Sequence, residues 1–161
     1  MKNQFGCLAM AGLLLVSGNA LAADSKGEYF QYTISSTDTI LPDGRTVTVF
    51  HTYQFSTSNQ PDDPLNSAAG ECLGRMVLSK EGKAISGSGA CLVKDASGDG
   101  YSHEWKLEQA GTADCPIQCG SFSYTDGYGK FAGISGGGKW VSTHDFADGG
   151  AAGTFTSTYK R

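Results

Sequence analysis

The sequence predicts an all-β protein, an eight-stranded antiparallel up-and-down barrel, with a two-sheet β-sandwich as the alternative. Three observations carry that expectation. Glycine supplies 23 of the 161 residues, about 14% against the roughly 7% of ordinary proteins, which a mostly helical chain would not tolerate. Apolar and polar residues alternate with a period of two along most of the chain after residue 22, the signature of half-buried strands. Turn chemistry cuts this pattern at short intervals, at Pro42-Asp43-Gly44, Glu81-Gly82, residues 95–100, Asp126-Gly127 and Asp148-Gly149-Gly150. Eight strands in sequential hairpins close into a barrel whose interior holds side chains or one small ligand. A sandwich shares the strand signature.

Before the strands comes a segment of another kind. Lys2, the apolar run from Leu8 to Val16, and Ala20-Leu21-Ala22 have the charge, core and small-x-small site of a cleavable signal peptide over residues 1–22. The run is about half the roughly 20 residues a membrane-spanning helix needs, so no stable membrane anchor is expected. Residues 23–161 then form a single domain of an exported protein, periplasmic or secreted. A formal charge of −4 disfavours nucleic acid as a partner, since that needs a basic surface.

The strands follow in order. Residues 28–35 alternate with Phe30, Tyr32 and Ile34 on one face. Residues 45–56 place Val47, Val49, His51, Tyr53 and Phe55 against Thr46, Thr48, Thr52 and Gln54. Residues 58–70, with Pro61, Asp62, Asp63 and Pro64, are a connector, either solvated or a lid over one barrel mouth. Residues 70–79 and 84–94 make a hairpin. Residues 101–109 alternate most clearly, with Tyr101, His103, Trp105 and Leu107 opposite Ser102, Glu104, Lys106 and Glu108. A one-residue slip there would bury three charges at several kcal/mol. Strands at 120–125, 129–143 and 152–159 complete the set.

Without Cys7 of the leader, four cysteines remain, Cys72, Cys91, Cys115 and Cys119. An even number in an exported chain reads as two disulfides. A turn at Glu81-Gly82 pairs residues whose numbers sum to 163, which sets Cys72 opposite Cys91 and leaves Cys115 to close on Cys119. In an unbulged two-residue hairpin that pair would fall at a hydrogen-bonded site, where side chains are farther apart; a bulge would repair that. Cys-x3-Cys without a second ligand pair does not make a zinc site, and no metal is expected there.

The stretch Gly127-Tyr-Gly-Lys-Phe-Ala-Gly-Ile-Ser-Gly-Gly-Gly138 resembles the Gly-x-Gly-Lys-[Phe/Tyr]-Ala-Gly-x-[Ser/Thr]-Gly motif of allene oxide cyclase barrel-like proteins and, more loosely, of plant dirigent proteins. Gly89-Ala-Cys91 followed by residues 95–100 is similar to the cysteine-bearing strand and acidic turn of small exported bacterial members. The resemblance spans roughly residues 71–159. It implies an eight-stranded barrel with a hydrophobic lumen and no particular reaction. Within the motif, Gly133-Ile-Ser135-Gly-Gly137 has the spacing of a nucleophile elbow and residues 133–139 nearly that of a phosphate loop. Both require a following helix that the pattern does not provide, and no cofactor is implied.

The candidate site residues are those expected to face the lumen: His51, Tyr53, Phe55, Tyr101, His103 and Trp105. Aromatic walls with few polar groups suit a small apolar or aromatic molecule. His103 is the candidate catalytic group, because imidazole titrates near neutrality, and with it the barrel would act as an isomerase or cyclase. A packed structural barrel without ligand is the remaining alternative. Asp95, Ser97 and Asp99 have the spacing of the first half of a calcium loop, but Lys106 stands where the bidentate carboxylate belongs, so an Asp/Gly turn competes with calcium there.

Overall fold

Eight strands, each hydrogen-bonded to its neighbours in sequence and the last to the first, close an antiparallel barrel in the computed structural model, which describes residues 23–146 and 149–161. The expected leader, 1–22, lies outside the described residues. The strands are β1 (Ala23–Ile40), β2 (Thr46–Ser58), β3 (Ala68–Leu78), β4 (Ala84–Lys94), β5 (Gly100–Thr112), β6 (Cys115–Tyr128), β7 (Ser135–Asp145) and β8 (Ala151–Lys160). Closure comes from nine paired positions between β1 and β8, from Ala23↔Tyr159 to Gln31↔Ala151. This pairing removes both sheet edges and excludes the sandwich.

The cysteine hairpin forms with the expected partners. Its turn is not the two-residue Glu81-Gly82 but a longer one, in which Ser79 N–H donates to the Lys83 carbonyl (2.7 Å) and Gly82 takes φ +77°. A register shift beside Val77 and Leu78, with Val77↔Ser86 and Leu78↔Ala84, restores the sum of 163. Cys72 and Cys91 thus lie opposite each other with Cα atoms 4.0 Å apart, and both this disulfide and Cys115–Cys119 are formed.

Sequential hairpins send alternate turns to opposite ends. The turns after β2, β4 and β6 share one end with Ala23 and Arg161, and those after β1, β3, β5 and β7 share the other. The first end is plugged. Residues 59–67 are not a solvated connector: Asp63, Pro64 and Leu65 are buried, and the Leu65 N–H donates to Asp63 Oδ1 at 2.7 Å. The glycine motif contributes the rest of the plug. Residues 129–143 are not one strand; Gly129–Phe131 form a single 3₁₀ turn before β7 begins at Ser135. Phe131 is turned inward, edge-on to Tyr101 at 5.4 Å between ring centroids. Tyr101 also meets Tyr124 edge-on at 5.4 Å, and with Ile134 and Tyr159 these rings fill the lower half of the lumen.

The inward face of β2 is the reverse of the expectation, and β1 likewise turns its apolar face outward. Tyr29, Gln31, Phe50, Thr52, Gln54 and Ser56 point inward, whereas Phe30, Tyr32, Ile34, Val49 and Phe55 are exposed on the outer wall with His51 and Tyr53 beside them. The reason is volume. The far wall already projects Trp105, Phe122, Tyr124, Trp140 and Phe155 into a lumen only wide enough for side chains, so β1 and β2 add two inward rings, Tyr29 and Phe50, and otherwise the smaller Gln31, Thr52, Gln54 and Ser56. At Gly74 and Gly89 this is explicit: a Cβ at either position would meet the Trp105 indole at 2.5 and 2.7 Å. The Trp105 ring fits because glycine stands beside it on the neighbouring strands, Gly89 paired with Trp105 and Gly74 paired with Gly89.

Candidate functional site

On β5 the expected alternation holds. Tyr101 and His103 are buried, Trp105 is half-buried, and Glu104, Lys106 and Glu108 are exposed. Of the six residues expected to line the lumen, Tyr101, His103 and Trp105 do so, and Tyr101 belongs to the filled lower half. His51, Tyr53 and Phe55 lie outside, where His51 Nε2 pairs with Glu71 at 3.1 Å and Tyr53 packs on Phe55 at 5.1 Å between ring centroids.

Above His103 the lumen is open. A chamber of about 110 Å³ is bounded by Tyr29, Gln54, His103, Trp105, Phe122 and Trp140. It adjoins a vestibule of about 340 Å³ at the unplugged end, with Gln31, Phe50, Met76, Gln118 and Ala151 lining both. Sequence reasoning missed Tyr29, Gln31, Phe50, Gln118 and Trp140. The signal for Tyr29 and Phe50 was present, since each is an aromatic on the polar register of its strand.

The walls are rings. Trp105 stacks on Phe50 at 5.9 Å between centroids and meets Trp140 edge-on at 6.4 Å. Trp140 is held by its Nε1–H, which donates to the Ser121 carbonyl at 3.3 Å. Such locked aromatic faces offer apolar contact at little entropic cost.

The polar groups between the rings are uncharged. Burial pushes the His103 imidazole down to about 4, so it is neutral near pH 7. Its Nδ1 is buried and has no hydrogen-bond partner in the protein. Burial likewise pushes the Tyr29 phenol up to about 12, and its hydroxyl shares a 2.8 Å hydrogen bond with Ser142. Gln31 donates to the Thr52 hydroxyl. The carboxylate at the rim is Asp145, which lines the vestibule and whose pKa is raised by partial burial.

The His103 shift has a measurable consequence. An imidazole with its folded value below its unfolded one contributes stability that is intact above the unfolded value and lost as pH falls toward the folded one. With 6.5 as the ordinary value and about 4 in the fold, acidification through that window should cost about 3 kcal/mol at this group. Urea unfolding near neutrality and near the lower limit should show a loss in the wild type that His103→Gln reduces by most of that amount. Equal losses in both proteins would mean that the ring is not buried and neutral.

The acidic turn is self-satisfied. Asp95 Oδ1 accepts the N–H groups of Ser97 and Asp99 at 2.8 and 3.1 Å, and Asp95 Oδ2 pairs with Lys130 Nζ at 2.5 Å. The lysine of the glycine motif thus sits against the carboxylate that a calcium ion would use. Among the described residues no group of three or more His, Cys, Asp or Glu side chains is placed to hold a metal ion.

No family model matches the chain, and no curated protein matches it. Among solved structures it is similar to a pterocarpan synthase dirigent protein, with a TM-score of 0.54 and 14% identity over 96% of this chain and 97% of that one. At that identity the likeness concerns fold. It agrees with the dirigent side of the sequence resemblance and does not single out allene oxide cyclases, so this chain is a small β-barrel with the dirigent shape.

Proposed function

We propose that the protein is an exported binding barrel that takes one small, ring-containing molecule into its upper lumen, with the ring between Trp105, Trp140 and Phe122 and a hydrogen-bonding group at His103. The observation that carries this reading is the aromatic-walled chamber itself, bounded by Tyr29, Trp105, Phe122 and Trp140, with the neutral His103 imidazole among its lining residues. The His103 Nδ1 has no hydrogen-bond partner in the protein; such an atom costs about 1–3 kcal/mol, which a ligand group that displaced its neighbours and bonded to it would recover. Size sets the second constraint. The chamber alone is smaller than the roughly 300–1,000 Å³ of drug-sized sites and suits a single ring, while the adjoining vestibule leaves room for a substituent. The chamber's uncharged walls favour a neutral group there, because a charge would lose its hydration without a counter-ion.

Export is supported by the leader pattern and by two disulfides, which persist in oxidising compartments. None of the described helices is long and apolar enough to cross a membrane.

Catalysis is the second reading, and the solved neighbour is named as a synthase. An imidazole near 4 is a poor general base at neutral pH, where the best base titrates close to the working pH. That favours binding over a cyclase or isomerase activity centred on His103. Native mass spectrometry of the protein isolated from cells making the whole chain tests the proposal. A co-purifying mass that is lost on unfolding is expected. A protein that carries nothing and also leaves its tryptophan fluorescence unchanged on titration with indole and 4-methylphenol would support the packed, ligand-free barrel instead.

A further inference from the structure

The open half of the lumen carries one charge on its wall. Asp145 lines the vestibule, and among the described residues no Lys, Arg or other carboxylate lines either the vestibule or the chamber. An extra residue in β7 puts it there. The inward residues of that strand run through Trp140 and Ser142, which pair with Phe155 and Gly153 on β8, so an unbroken alternation would turn His144 inward next. A register shift between Ser142 and His144 instead sets His144 against Ala152 and Asp145 against Ala151, the residue that lines both compartments. Bulges at barrel rims re-aim side chains in this way, and here the bulge exchanges an imidazole for a carboxylate. Among the described residues the Asp145 carboxylate has neither an ion-pair nor a hydrogen-bond partner.

We infer that the ligand of the lumen is an arylalkylamine, a ring held in the chamber and joined by a short chain to a protonated amine that pairs with Asp145 in the vestibule. The inference rests on the lumen-binding reading and adds the chemical class of the ligand to it. Placement is the first argument. The chamber and the vestibule share Gln31, Phe50, Gln118 and Ala151, so a chain leaving the ring passes toward Asp145, and the charge of Asp145 already reaches the chamber, where it adds to burial in pushing up the Tyr29 phenol. Solvation is the second. A cation in the uncharged chamber would lose its hydration without compensation, whereas in the open vestibule it keeps part of its water and gains a carboxylate. Ring surface is the third. Phe50 and Phe146 line the vestibule beside Asp145, and aromatic rings attract ammonium groups. A carboxylate on the ligand would instead meet Asp145 as a like charge.

Tryptophan fluorescence titration near neutral pH, on the protein from cells making the whole chain, reads the inference with 2-phenylethylamine and 4-phenylbutylamine against the alcohols of the same length, and with 3-phenylpropanoate as the anion. At least one amine should bind roughly five- to tenfold more tightly than its alcohol, the scale of one ion pair at a partly exposed site, and the anion should bind more weakly than either alcohol. The amine's advantage should shrink between about 20 and 500 mM salt, as screening of a partly exposed pair requires. Asp145→Asn should remove the advantage, while Asp43→Asn, on a turn at the same end and paired with Arg45, should keep it. Should Asp145→Asn fail to fold, the anion and the salt dependence of the wild type decide. Alcohols that bind as tightly as the amines, or an advantage that persists in the folded Asp145→Asn protein, overturn the inference and leave lumen binding standing. If the amines, the alcohols and indole all fail to bind, the lumen-binding reading falls and the inference with it.

Discussion

Tyr101→Ala is expected to lower the unfolding free energy by about 4 kcal/mol, within the range for deleting a fully buried large aromatic. Tyr101 is fully buried and is the ring on which Tyr124 and Phe131 converge edge-on, so its loss would open a cavity between the barrel wall and the plug. Tyr101→Phe should behave in the opposite way. The Tyr101 hydroxyl is buried without a hydrogen-bond partner, and burial pushes its pKa well above the ordinary phenol value. Removing a polar atom that is desolvated and unpaired is neutral or stabilising. Chemical denaturation of the two variants checks both signs. A Tyr101→Phe protein weakened as much as the alanine variant would show that the hydroxyl holds the plug.

The second large effect concerns the ligand. Trp105→Ala should weaken binding of a ring-containing ligand by roughly 30-fold, corresponding to about 2 kcal/mol of lost apolar and aromatic contact. His103→Ala should cost less, because one neutral hydrogen bond contributes about 1 kcal/mol net. Fluorescence titration of the Trp105 variant through Trp140, and calorimetry for both, measures the order. An enzyme centred on His103 would invert it, with binding nearly intact and turnover lost.

Some of this architecture was legible in the sequence. The strand count, the β5 alternation and the Cys72–Cys91 register follow from local rules, namely period, turn chemistry and hairpin arithmetic. The inward face of β1 and β2 was not legible, because the alternation shows that two faces differ but not which one meets the lumen. Apolar residues ordinarily mark the inner face, and here the outer face of this half carries Phe30, Tyr32 and Phe55. What decides the matter is the volume already taken by Trp105, Trp140 and Phe122 from strands distant in sequence. The plug was half legible: Pro61 and Pro64 marked a loop, but the burial of Asp63 and Leu65 depends on the hollow end that the closed barrel leaves. The glycine motif has the pattern of a strand over 129–143, and its Phe131 acts as a stopper instead.

The most direct test of lumen binding is a variant that fills the passage between vestibule and chamber. Ala151 lines both and sits on β8 opposite Gln31. Ala151→Trp should block that passage while leaving the plugged lower half and the β5 core intact. With the fold verified by near-ultraviolet circular dichroism, the account predicts that binding of indole, 4-methylphenol or a co-purified ligand is lost. Unchanged affinity in the folded Ala151→Trp protein would place the ligand outside the lumen and contradict the account.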